Sequence, residues 1–79
     1  MNENTEERKV LFLYNDDVHT FDYVVRVLMD ICDHDANQAE QCAYITHYRG
    51  KCDVRRGELD MMKLLRNELR KKGLKAAVE

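Results

Sequence analysis

Seventy-nine residues make one small domain, because a chain of this length buries a single modest core and has no room for a catalytic domain beside a separate binding domain. Thirteen basic against fifteen acidic residues leave a formal charge of −2, which lacks the basic excess of a nucleic-acid module. No apolar run approaches the ~20 residues of a membrane span, and no apolar segment opens the chain as a signal peptide would. The expectation is a soluble, cytoplasmic protein with neither nucleic acid nor membrane as partner.

Residues 1–8 are polar and acidic and read as a flexible tail, leaving 9–79 as the folded core. Lys9 to Tyr14 carries Val10, Leu11, Phe12 and Leu13 in succession, the pattern of a strand buried largely on both faces. Phe21, Val24, Val25, Leu28 and Ile31 or Cys32 then recur at helical spacing, with Thr20 or Asp17 available to cap the free amides. Asp35-Ala36-Asn37-Gln38 resembles a capping box and opens a second helix through Ala39, Cys42, Ala43, Ile45 and Thr46, stopped by Gly50.

Lys51 to Arg55 alternates, with Cys52 and Val54 on one side, and predicts a second strand. Leu59, Met62, Leu65 and Leu69 form the stripe of a third helix, which ends at Lys71-Lys72-Gly73. Leu74 to Val78 can return to the sheet as a last strand. The order β-α-α-β-α-β is most simply an α+β layer, a small three-stranded antiparallel sheet with the three helices packed on one face. Cys32, Cys42 and Cys52 are odd in number and about ten residues apart with no CxxC pair, so they read as reduced core residues, with neither a disulfide framework nor a metal site signalled. No cofactor is implied.

The run Tyr14-Asn15-Asp16-Asp17 stands where the first strand must end. Asn and Asp favour such turns by bonding nearby amides, yet two carboxylates beside an amide also make a receptor for a cation. Val10 to Asp17, then Phe21-Asp22-Tyr23-Val24-Val25-Arg26-Val27-Leu28, then His47-Tyr48-Arg49-Gly50-Lys51, resemble ClpS, the adaptor family that recognises N-terminal degrons for the Clp protease. The resemblance runs from about Lys9 to Glu79, with a two-residue contraction after Val54.

The resemblance implies that Asn15, Asp16 and His47 hold the free α-amino group of a substrate, with Asp17 left to a structural turn-and-cap role. The chemistry is coherent, since an ammonium has three donors and needs acceptors converging from separate elements. The resemblance further implies a hydrophobic pocket for the first side chain, at His19, Phe21, Val24, Ala43, Thr46 and Leu74. Family members commonly read Thr-Pro-Met where this chain has His19-Thr20-Phe21, and Met and Val where it has Ala43 and Thr46. One wall grows while another shrinks, and Thr46 with His19 makes the lining more polar. The usual ligands are Leu, Phe, Tyr and Trp, and the departures bear on which of them this pocket prefers.

Glu58 and Lys63 match positions through which family members meet the N-terminal domain of a ClpA- or ClpC-type AAA+ unfoldase, and the short tail resembles the extension that assists delivery. The alternative is a ClpS-fold interaction module without N-degron activity, for which the amine trio would be superfluous. An enzyme built on Asp16, Asp17, His19 and His47 is disfavoured, because no Ser or Cys nucleophile pairs with a histidine and no ligand spacing supports a metal.

Overall fold

The computed structural model describes residues 8–79. Its elements run β1 (Arg8–Tyr14), α1 (Phe21–Ile31), α2 (Ala36–Arg49), β2 (Lys51–Glu58), α3 (Leu59–Lys71) and β3 (Lys75–Val78). β1 is central in a sheet of order β2-β1-β3, antiparallel on both sides. The expected tail lies outside the described residues except for Arg8, which is already the first residue of β1.

β1 does not have both faces buried. Leu11 and Leu13 point under the helices at 0% and 1% exposure, whereas Val10 and Phe12 are half-buried on the other face, because all three helices pack on one side and leave the opposite side to side chains alone. There the Lys51 ammonium sits 4.4 Å from the centre of the Phe12 ring, and Lys51 pairs with Glu79 at 3.2 Å. Tyr14 donates its hydroxyl to the same Glu79 carboxylate.

Three side chains start the helices. Thr20 Oγ1 accepts from the Tyr23 amide at 3.1 Å, Asp35 Oδ1 from Gln38 at 2.8 Å, and Glu58 Oε1 from Met61 at 3.3 Å. Each satisfies an amide that the first turn leaves unpaired. α2 ends at Gly50, whose φ of 94° is a conformation that side-chain-bearing residues resist. The core joins Leu11, Leu13, Val27, Leu28, Ala39, Met62 and Leu69 with the three free, buried cysteines.

β2 runs on past Arg55 to Glu58, three residues beyond the stretch that alternation marks. Arg8, Lys9 and Val10 of β1 stand opposite Glu58, Gly57 and Arg56, and pairing with them extends a segment whose own residues are polar. Between Leu11, opposite Arg55, and Phe12, opposite Asp53, the register slips. Val54 is the extra residue of this bulge. Its carbonyl accepts from His34 Nε2 at 2.7 Å, and His34 is 5% exposed. Arg55 closes the same corner by donating to the Cys32 carbonyl at 3.1 Å.

Candidate functional site

The site forms where β1 runs out. Asn15 donates its amide to the Gly50 carbonyl at 2.9 Å, which ties the strand exit to the end of α2 and so to His47 in its last turn. The next residue, Asp16, organises the loop. Its Oδ1 accepts the amides of Val18 at 2.9 Å and His19 at 3.0 Å, and its carboxylate lies 3.2–3.3 Å from His19 Nδ1. Burial alone would raise the Asp16 pKa, but the two amides and the His19 ring together favour the anion and hold it below its usual value.

The turn-and-cap role expected of Asp17 therefore belongs to its neighbours. Asp16 closes the turn and Thr20 caps α1, while Asp17 is exposed. The bend that begins at Asp17 folds the Val18 and His19 amides back onto Asp16.

The pocket wall is built from three elements. His19 stacks on Tyr23 with ring centres 5.0 Å apart and planes 17° from parallel, and Tyr23 is itself fixed by a 2.8 Å bond to the Lys72 carbonyl. From α2 come Ala43 and Thr46, each 4% exposed, and from the turn before β3 comes Leu74, also 4% exposed. Thr46 donates its hydroxyl to the Cys42 carbonyl at 2.7 Å, so this side chain offers the cavity a methyl group and a bare oxygen, with no donor to spare.

Together they enclose a cavity of about 610 Å³. Its lining includes Asn15, Asp16 and His47 as well as His19, Phe21, Val24, Ala43, Thr46 and Leu74, so one concavity joins two acceptor-rich elements to an apolar wall. Asp17, though exposed, lines it too. Sequence reasoning did not single out Leu13, Tyr14, Thr20, Tyr44 and Tyr48 as lining residues. Tyr44 and Tyr48 are 58% and 67% exposed and touch each other with ring centres 4.5 Å apart. Their four-residue spacing, in step with Ala43 and His47, was the one signal available.

Glu58 and Lys63 are not part of this cavity. Glu58 pairs with Arg8 at one end of the β1–β2 ladder, whereas Tyr14 and Lys51 close the other, six steps or roughly 20 Å away. Glu58 spends its carboxylate on the α3 cap, and Lys63 is exposed on that helix.

The family model of the ATP-dependent Clp protease adaptor protein ClpS matches residues 4–77. The chain belongs to the ClpS family. That family is one of adaptors for the Clp protease. No curated protein sequence matches the chain. The solved structure of Agrobacterium tumefaciens ClpS2 bound to L-phenylalaninamide matches with a TM-score of 0.82, at 20% identity, over 94% of this chain and 96% of that one. It shares the ClpS fold of three helices on a three-stranded sheet. No helix among the described residues is long and apolar enough to cross a membrane.

Proposed function

We propose that this ClpS-family protein captures proteins whose free N-terminal residue is bulky and hydrophobic (Leu, Phe, Tyr or Trp) and delivers them to an AAA+ unfoldase of the Clp protease. The observation that carries the reading is the single cavity in which Asn15, Asp16 and His47 meet Val24, Ala43 and Leu74. Its size lies in the usual range of ligand pockets, about 300–1,000 Å³.

The chemistry follows from what each group has left to offer. Both loop amides go to Asp16 Oδ1, so Oδ2 keeps acceptor capacity and charge for an ammonium. Asn15 contributes an amide oxygen and neutral His47 a ring nitrogen, which gives three acceptors for three donors. N-terminal acetylation removes the charge and two of those donors. The apolar wall then receives the first side chain. L-phenylalaninamide, bound by the Agrobacterium protein, is a free amine on an aromatic residue of this kind.

Burying one Leu- or Phe-sized side chain contributes about 1.5–3 kcal/mol, and each charge-assisted hydrogen bond about 1.5–3. After the cost of association this corresponds to affinity near micromolar, about −8 kcal/mol. Cargo held this loosely can be passed on. On the delivery side, the exposed Glu58 caps α3 and Lys63 follows on the same helix, both outside the lining of the cavity, so an unfoldase domain seated there leaves the cargo site open.

Labelled peptides beginning with free Phe, Leu, Tyr or Trp should bind, and N-acetylated copies should not. Equal binding of the acetylated copies would remove the amine site from the mechanism.

A further inference from the structure

His19 is held from three sides. Its Nδ1 lies 3.2 Å from Asp16 Oδ2 and 3.3 Å from Oδ1, its ring stacks on Tyr23, and its far edge faces Gly73, where an added Cβ would come within 2.9 Å of Nε2. A carboxylate only accepts, so Nδ1 carries the proton whether the ring is neutral or charged, and the neutral ring leaves Nε2 bare. The Asp16 side chain is 9% exposed. Among the described residues, the His19 ring is the only donor to Asp16 Oδ2.

We propose that His19 is a positioning residue for the α-amino site, and that its charge sets how strongly Asp16 attracts the substrate; this rests on the amine-binding reading above. Neutral His19 turns Asp16 by a single N–H bond and leaves the carboxylate its full charge. Protonated His19 becomes the counter-ion of Asp16 and competes with the incoming ammonium for it. A medium acidic enough to charge the His19 ring therefore weakens capture. The coupling is reciprocal: an ammonium docked on Asp16 disfavours the His19 cation, so binding expels a proton.

The groups around His19 are Asp16 and exposed Asp17 from its own loop, the phenol of Tyr23 from α1, Gly73 with its neighbour Lys72 from the turn after α3, and His47, which lines the same cavity from α2. Of these, Asp16 is the charged group in hydrogen-bond contact with the ring. His47 is a second imidazole in the same cavity, so the His19 share must be isolated by substitution.

The test is calorimetric titration with a free-amine Phe peptide at pH 6 and pH 8, in buffers of different ionisation heat, for the unaltered protein, His19→Asn and His19→Ala. Asn keeps a donor where Nδ1 stands but cannot titrate. At pH 8 His19→Asn should bind about fivefold more tightly than His19→Ala, the worth of one ordinary hydrogen bond. At pH 6 His19→Asn should release fewer protons on binding than the unaltered protein and lose less affinity relative to pH 8. Undiminished proton release and an undiminished acid loss in His19→Asn would overturn the proposal, and so would equal affinity of the two variants at pH 8. Thermal melts identify a variant that fails to fold, and His19→Asn against the unaltered protein then decides alone. An acetylated peptide run in parallel separates the two readings: if it binds as well as the free amine, the amine site itself fails and this proposal with it.

Discussion

The Asn15 amide donates to the Gly50 carbonyl across 2.9 Å, and this one backbone bond joins the two halves of the proposed amine site. Asn15 and Asp16 leave β1 on one side of it, and His47 precedes Gly50 by three residues on the other. Gly50 can present its carbonyl there because it turns to φ 94° while its own N–H bonds back to Thr46. The trio is thus set by main-chain geometry before any side chain contributes.

Gly50→Ala and Gly73→Ala should differ. Nothing lies within 4 Å of a Cβ at Gly50, so the cost is backbone strain of about 1–2 kcal/mol, or roughly 5–10 °C in Tm for a domain of this size. At Gly73, φ is 87° and the added carbon also meets His19 at 2.9 Å. Gly73→Ala should be the less stable of the two and the weaker binder of free-amine peptide. Thermal melts and fluorescence anisotropy check this, and equal behaviour of the two variants would contradict it.

Asp16→Asn should weaken binding of a free-amine peptide by more than about tenfold, because a charged acceptor becomes a neutral one. Its amide oxygen can still accept from Val18 and His19, so the fold should persist. Asp17→Asn should stay within about twofold, since Asp17 is exposed and the loop bonds belong to Asp16. A reversed ranking in the same anisotropy assay would move the amine-binding role from Asp16 to Asp17.

Stability should fall at both ends of the pH range for different reasons. The Asp16 pKa is lowered in the folded protein, the loop amides and His19 outweighing burial. Its contribution is therefore present above the ordinary carboxylate value and lost as pH drops through the folded one. The thiols run the other way. Burial pushes Cys32 up to about 11 and Cys52 up to about 12, from 9.0. Burial also raises Cys42, whose sulfur is 3.3 Å from that of Cys52. The unfolded chain ionises first, so stability is full below about pH 9 and declines as pH climbs towards 11–12, with each thiol adding a slope of at most about 1.4 kcal/mol per pH unit. Urea titrations from pH 8 to 10.5 should show the decline, shallower in Cys52→Ala; a level curve would refute it.

His34→Ala should cost roughly 2–4 kcal/mol, combining a buried cavity with the loss of the donor to the Val54 carbonyl. Denaturant midpoints measure the cost, and a change below about 1 kcal/mol would mean that the bulge relaxes without its partner. Hydrogen exchange should quicken first at Arg55 and Arg56, where the ladder resumes.

What could be read from sequence depended on how local the cause was. The helices were legible because caps and apolar steps are near neighbours: Asp35 and Gly50 bound α2 as their chemistry suggests, and of the two candidate caps for α1 Thr20 is the one used. The far half of β2 was not, because Arg55 to Glu58 becomes strand only through partners some 45–50 residues earlier in β1. The bulge at Val54 escaped for the same reason. In the site, the convergence of Asn15, Asp16 and His47 came from family resemblance, since no local rule links residues that lie 31 positions apart. The turn-closing role was expected of Asp17 and is carried by Asp16, because composition does not say which of two adjacent carboxylates bonds the loop amides. Tyr44 and Tyr48 were passed over because exposed aromatics on a helix look like surface until a cavity appears beside them.

β2 is an outer strand of the sheet, and a protein proposed to handle loose polypeptide risks recruiting it there. An unpaired strand edge is a template on which extended chains zip up. Here that edge is broken by the offset at Val54 and studded with Lys51, Asp53, Arg55 and Arg56, while β3 at the opposite border is only four residues long. The borders of the sheet thus repel the partially extended chains whose ends the cavity is proposed to hold, which keeps capture from becoming co-aggregation.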